Sequence, residues 1–266
     1  MSDTLLTFVH IGDTHIHSDP AYTLDYAEIT PFAGAKALVE HLNNLPFTPD
    51  FVLHTGDVAY YPDPEAYTTC KEILGKIKYP TYYVVGNHDD GIALCRYLQP
   101  KQANFQPRTY GDFEINGVQI VFLDSNGPVE PPAGYMVEEQ IAWLRKICSA
   151  RDSRPLIIAV HHNLLPVGIP WLDTYMRTAN GEQVHAAILP ARDRLRGVFF
   201  GHLHQNVDVM QDGILYSSVA SSWFQLEAYP GLTVTVPDRG AELGYSVVTI
   251  TAQQTFIRRC RFPLPR

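Results

Sequence analysis

Two hydrophobic rhythms alternate along the first third of the chain. Leu5–Ile11 is a short apolar run rich in β-formers and reads as a strand. Pro31 suits the first turn of a helix, and Ala35, Leu38, Val39 and Leu42 follow it at helical spacing. Phe51–Thr55 is a second strand. Asp63 and Pro64 read as an N-cap and first helical residue; Ala66, Tyr67, Cys70, Ile73, Leu74 and Ile77 form the apolar stripe behind them. Thr81–Val85, made only of β-branched and aromatic residues, is a third strand. A β-α-β-α-β order implies parallel strands joined by crossover helices.

The rhythm then changes. Tyr110–Ile115 and Val118–Leu123 flank Asn116-Gly117 and read as a hairpin with a primed turn, and Val207–Gln211, Asp212-Gly213 and Ile214–Val219 make a second hairpin. Glu138–Ala150 is a helix with Ile141, Leu144 and Cys148 on one face. Leu156–Val160 and Gly197–Phe200 are further strands, and Tyr245–Thr251 with Thr255–Arg261 is a third antiparallel pair. These elements predict an α/β chain of two mixed sheets stacked face to face with helices outside. Pro20–Pro31, Asn126–Tyr135 and Leu164–Glu182 are long irregular stretches, the usual form of lids and insertions. No linker breaks the pattern, so residues 1–266 read as a single domain.

Composition narrows the function. Twenty Lys and Arg against 28 Asp and Glu leave a net charge of −8, which argues against a sequence-independent grip on nucleic acid or an anionic membrane. Cys70, Cys95, Cys148 and Cys260 form no CxxC pair and read as reduced, mostly buried thiols. Met1–His10 lacks the basic and apolar regions of a signal peptide, and the longest aliphatic run is too short to span a bilayer. A cytoplasmic globular protein is the expectation.

Five short polar motifs each follow a predicted strand. They are Asp13-Thr14-His15, Gly56-Asp57, Gly86-Asn87-His88-Asp89, His161-His162 and Gly201-His202-Leu203-His204. The carboxyl ends of parallel strands line one crevice, so all five motifs converge there if the sheet forms. Carboxylate, amide and imidazole donors without thiolates suit Mn, Fe, Zn or Co. Any one fragment alone is an ordinary turn or core histidine; the ordered set is not.

That ordered set resembles the calcineurin-like metallophosphoesterases, over about Phe8 to Phe224. Within them it is most similar to the class III cyclic-nucleotide phosphodiesterases and glycerophosphodiesterases, on Asp124-Ser125, Gly134, Gln140, Trp143-Leu144 and the Ser-rich segment ending in Phe224-Gln225. The resemblance implies a four-layer αββα sandwich and a site for two metal ions. By motif position, Asp13, His15 and His204 hold the first, Asn87, His161 and His202 the second, and Asp57 bridges them. His88 faces the substrate phosphate, and Asp89 either orients the His88 ring or caps a helix. The implied activity is hydrolysis of a small phosphodiester, a 3′,5′-cyclic nucleotide or a glycerophosphodiester, by a metal-activated hydroxide. A phosphomonoesterase and a non-catalytic metal-binding scaffold are the alternatives.

Some residues stay open. Gly56-Asp57-Val58-Ala59-Tyr60 also matches the purple acid phosphatases, in which the Tyr binds iron; His15 stands where that group has Gly, so Tyr60 reads as a packing residue near the site. His162 is a substrate contact or a loop residue. His17 reads as a loop residue, and His10, His41, His54 and His185 as structural. Segments Asn126–Tyr135 and Leu164–Thr178 are expected to wall the pocket, with Trp171 and Tyr175 as candidates to pack on a base. Relatives in this family are often oligomeric, which makes a homo-oligomer an expectation; Leu232–Val236 either joins its interface or closes a sheet.

Overall fold

Strand β1 (Thr4–Ile11) shows how the layers arise, because its alternate side chains enter different cores. Leu6 and Phe8 face one apolar cluster, while Val9 and Ile11 face another. The computed structural model describes residues 4–100 and 108–263. Helix α1 (Pro31–Leu42) follows, capped by the Thr30 side chain, which accepts from Ala33 N–H. Next come β2 (Phe51–His54), α2 (Pro64–Leu74) with Asp63 as N-cap, and β3 (Thr81–Tyr83). β1, β2 and β3 pair in parallel, as the alternating pattern requires. β12 (Gly244–Thr251) and β13 (Thr255–Arg261) join the free side of β1 antiparallel, giving the order β13-β12-β1-β2-β3.

A second sheet has the order β4-β5-β6-β7-β9-β8. Its strands are β4 (Gly111–Ile115), β5 (Val118–Phe122), β6 (Leu156–Ala159), β7 (Leu195–Phe200), β8 (Asp208–Gln211) and β9 (Ile214–Ser218). Both hairpins form at the expected dipeptides. Asn116 and Gly117 have φ of 49° and 77°, and Asp212 and Gly213 have 53° and 79°, the left-handed pairs that primed turns need.

Three apolar clusters fix the layer order. Phe8, Phe51, Phe122, Phe199 and Ile250 lie between the sheets, with Phe8 stacked on Phe51 at 5.0 Å and edge-on to Phe199 at 5.2 Å. α1, α2 and α3 (Gly91–Tyr97) cover the outer face of the first sheet. α4 (Glu138–Cys148), α5 (Pro170–Tyr175) and α6 (Gly181–Ile188) cover the second. The expected αββα sandwich is therefore present.

The stretch read as irregular from Leu164 to Glu182 is partly helical. Pro170 opens α5 rather than breaking the chain, and its turn drives Trp171 and Leu172 into the core under the second sheet. Trp171 is thus a packing residue, not a base-binding one, and Tyr175 is 62% exposed. Between β10 (Gln225–Leu226) and β11 (Pro237–Asp238), Leu232–Val236 runs along a two-stranded ribbon with Val234 exposed. Among the described residues, no helix is long and apolar enough to cross a membrane. Cys70, Cys95 and Cys148 are buried free thiols, and Cys260 is half-buried and free.

Candidate metal centre

The chain leaves β1 by continuing to pair with the loop after β2. Asp13 N–H donates to Gly56 O at 3.0 Å, His15 N–H to Asp57 O at 2.9 Å and Ile16 N–H to Val58 O at 2.9 Å. This ladder sets the two motifs side by side. Among the described residues, seven non-glycine residues have positive φ. Two are the hairpin residues Asn116 and Asp212; the other five are Asp13, His15, Asp57, His202 and His204. Strained backbone outside the hairpins is thus confined to these motifs. Close packing also fixes Gly86, because a Cβ there would stand 2.1 Å from Asp57 N.

The motif side chains meet. His15 Nε2 is 2.9 Å from His204 Nε2 and 3.6 Å from Asp57 Oδ2; His204 Nε2 is 3.9 Å from Asp13 Oδ1. On the other side of Asp57, His161 Nε2 is 3.3 Å from Oδ2, 3.0 Å from Asn87 Oδ1 and 3.1 Å from His202 Nδ1. Three main-chain carbonyls fix ring orientation. His161 Nδ1–H donates to Thr55 O, His204 Nδ1–H to Phe224 O and His88 Nδ1–H to Tyr60 O, at 2.8–3.0 Å. A carbonyl only accepts, so each of these rings turns its Nε2 inward.

Charge in this space is poorly accommodated by the protein alone. Burial pushes the Asp13 carboxyl up to about 8, with the Asp57 charge adding to it. Burial also pulls His15 well below its ordinary value and His204 down to about 4. His161 moves the other way: burial opposes its charge, but the Asp57 and Asp13 carboxylates overcome it and raise the ring to about 9. Burial opposes the Asp57 charge too, yet the surrounding imidazoles hold that carboxyl well below the usual range. His15 Nδ1 and His202 Nε2 are buried without a hydrogen-bond partner. Donor atoms of Asp13, His15 and His204 lie within 4.8 Å of one another, as do those of Asp13, Asp57 and His161. Such oxygen and imidazole clusters fit first-row cations.

Two neighbours behave differently from the sequence expectation. Asp89 does not touch the His88 ring and caps no helix; Asp90 caps α3. Instead the Asp89 carboxylate accepts from Val58 N–H, Ala59 N–H and Gly86 N–H at 3.0–3.2 Å, tying the Asp57 loop to the Asn87 loop. Sequence reasoning missed this role because the partners are main-chain amides. His162 lies beside His161 and His202, but Nε2 donates to Pro132 O at 3.1 Å and Nδ1 accepts from Ser125 Oγ at 2.7 Å. Both nitrogens are used, and His162 pins the Asn126–Tyr135 segment to the site. His17, also read as a loop residue, stacks on Tyr22 at 4.1 Å.

The sequence model of the family described as calcineurin-like phosphoesterase matches residues 6–206. The chain belongs to that family. A glycerophosphodiester phosphodiesterase of Enterobacter lignolyticus is 29% identical over 205 residues, covering 75% of this chain and 71% of that one. A probable cyclic nucleotide phosphodiesterase of Rhodopseudomonas palustris is 28% identical, covering 97% and 93%. A 3′,5′-cyclic adenosine monophosphate phosphodiesterase of Pseudomonas aeruginosa is 26% identical, covering 78% and 72%. Among solved structures, a dimetal phosphatase from Danio rerio shares the fold with a TM-score of 0.64 at 12% identity, covering 98% and 100%. In this calcineurin-like phosphoesterase all five motifs thus sit at one rim of the sandwich, with His/Asp clusters able to bind metal.

Proposed function

We propose that the chain, acting as one domain, is a two-metal phosphodiesterase whose substrate is a 3′,5′-cyclic nucleotide or a glycerophosphodiester. Asp13, His15 and His204 hold one ion, Asn87, His161 and His202 the other, and Asp57 bridges them. The observation that carries this reading is the Asp57 carboxylate, which stands 3.6 Å from His15 Nε2 and 3.3 Å from His161 Nε2. One carboxylate between two imidazole groups suits a shared ligand. When bound, two such ions polarise a phosphoryl group and acidify a coordinated water. Mn, Fe, Zn and Co all accept this donor set.

The chain's own residues do the rest. Tyr60 O holds the His88 ring through Nδ1–H, which leaves Nε2 facing the site; the ring donates there to a phosphate oxygen, or passes a proton to the departing alkoxide, when it carries its second proton as imidazolium. His88 is half-buried whereas His15, His161, His202 and His204 are buried, so it stands nearer the opening. The names of the relatives support diester substrates of both kinds. The −8 charge favours a small ligand over a polyanion.

Mn-reconstituted protein assayed with bis(p-nitrophenyl) phosphate and p-nitrophenyl phosphate tests the reading. Preferred turnover of the diester is expected. A strong monoester preference would make it a phosphomonoesterase, and a metal-loaded protein that turned over neither would be a scaffold.

A further inference from the structure

Aromatic rings gather beside the centre on a flank that no motif marks. Tyr60 is 5.4 Å, centroid to centroid, from His88 and 6.0 Å from His15. Tyr22 lies 4.9 Å from Tyr60, and Tyr61 lies 4.7 Å from it, edge-on. Tyr22 is half-buried and Tyr61 is 52% exposed, so the rings step outward from the histidines to solvent. The base of this wall is rigid. Trp223 packs 5.7 Å from Tyr60, and its Nε1–H donates to Ile29 O at 2.9 Å, which pins the loop that carries Tyr22.

We propose that Tyr22, Tyr60 and Tyr61 form a shelf for the nucleobase of a 3′,5′-cyclic nucleotide; this deepens the phosphodiesterase reading and rests on it. A base hangs one sugar away from phosphorus, and Tyr60 is one ring contact away from His88, the residue assigned to the phosphate. The same residue therefore orients His88 through its carbonyl and offers its ring to the substrate. One face of Tyr22 is covered by the His17 imidazole, which lies parallel to it with an interplanar angle of 8°, so a base takes that face only by replacing His17, a flat heteroaromatic ring like itself, while Tyr61 stands open to solvent. Exposed π-faces are wasted on a glycerol arm, which has no flat apolar surface, but each base presents one. Trp171 is in the core, so this flank replaces the one expected from the sequence.

The test compares cyclic AMP, glycerophosphoethanolamine and glycerophosphocholine on Mn-loaded wild type, Tyr22→Ala, Tyr61→Ala and Tyr61→Phe. Stacking on an aromatic ring confers about 5- to 160-fold in affinity. Both alanine variants should raise KM for cyclic AMP within that range and change kcat little, while Tyr61→Phe stays near wild type. The two glycerol diesters should shift less than the cyclic nucleotide. A separate binding readout is quenching of tyrosine fluorescence by adenosine 5′-monophosphate, which should weaken in the alanine variants whether or not they turn over. Equal loss on all three substrates, or selective loss of the choline diester as an aromatic cage for a quaternary ammonium would give, overturns the shelf. If wild type hydrolyses none of the diesters, the phosphodiesterase reading fails instead, and the quenching result still judges the shelf.

Discussion

Asp57 stands 3.6 Å from His15 and 3.3 Å from His161, and the His88 ring centroid lies 4.7 Å from that of His15, yet the two residues answer to opposite demands. Asp57 touches both halves of the centre, so Asp57→Ala should reduce bound metal from two ions toward none, measured by elemental analysis of the purified protein. Among the described residues Asn87 Oδ1 pairs with His161 alone, at 3.0 Å, so Asn87→Ala should release one ion and keep the other. His88 has its Nδ1 tied to Tyr60 O and is proposed to face the phosphate. His88→Ala should keep both ions while kcat falls about 10²- to 10⁴-fold, the usual worth of a proton donor. Equal metal loss in His88→Ala and His204→Ala would show that His88 is a ligand. Asp89 belongs to neither group. Removing its carboxylate strands the amides of Val58, Ala59 and Gly86, so Asp89→Ala should lose about 3 kcal/mol of stability in urea melts, with or without metal.

Loops around the centre are held by a recurrent device between elements. An amide side chain makes two hydrogen bonds to the N–H and C=O of one other residue. Gln140 on α4 holds Asp124 after β5 at 2.8 and 2.6 Å, and Asn180 holds Met136 at 3.0 and 2.8 Å. Gln225 does the same for Ser221, and Gln99 for Tyr83. Gln140→Ala leaves both Asp124 groups unpaired and should cost about 2 kcal/mol, read from the urea midpoint, while Gln140→Glu should cost nearly as much because it loses the N–H donor. These clamps were not legible in the sequence, since an amide paired to main chain needs no particular partner side chain. The strands and the convergence of the polar motifs were legible for the opposite reason. Each motif directly follows a parallel strand, so finding the strand places the side chain. Asn116-Gly117 and Asp212-Gly213 announced their hairpins because few other residues accept positive φ. The helices that begin within Leu164–Glu182 were missed, because elements as short as α5 (Pro170–Tyr175) and α6 (Gly181–Ile188) carry too few turns to show a helical period. The wall of Tyr22, Tyr60 and Trp223 draws on three separate stretches with no common spacing, so only the folded chain reveals it.

For the molecule as a whole, stability and metal binding are joined through protons. In the folded chain by itself Asp13 titrates at about 8 against an ordinary value of 3.8, and His161 at about 9 against 6.5. Both folded values lie above the unfolded ones, so the folded state holds extra protons and loses stability as pH rises, through about 8 for Asp13 and about 9 for His161. The buried histidines act in the other direction. His54, His162 and His204 are pulled by burial to about 3, 3 and 4, so the unfolded chain gains protons that the folded one refuses, and stability is lost as pH falls below 6.5. Asp57, held low, contributes a constant amount above 3.8. Chelator-treated protein should therefore melt highest near pH 6.5–7 and progressively lower toward pH 9. Cations bind the deprotonated ligands, and each proton they displace raises apparent affinity by up to about tenfold per pH unit. The rise in Tm on adding Mn should accordingly grow between pH 6.5 and 8.5 in wild type. In Asp13→Asn, which cannot hold that proton, the chelated protein should lose less stability over the same range and the Mn-induced rise should be small at every pH. A wild-type Mn effect that stayed constant or shrank with pH would mean that the cations do not displace protons from Asp13 and His161, and so are not held by them.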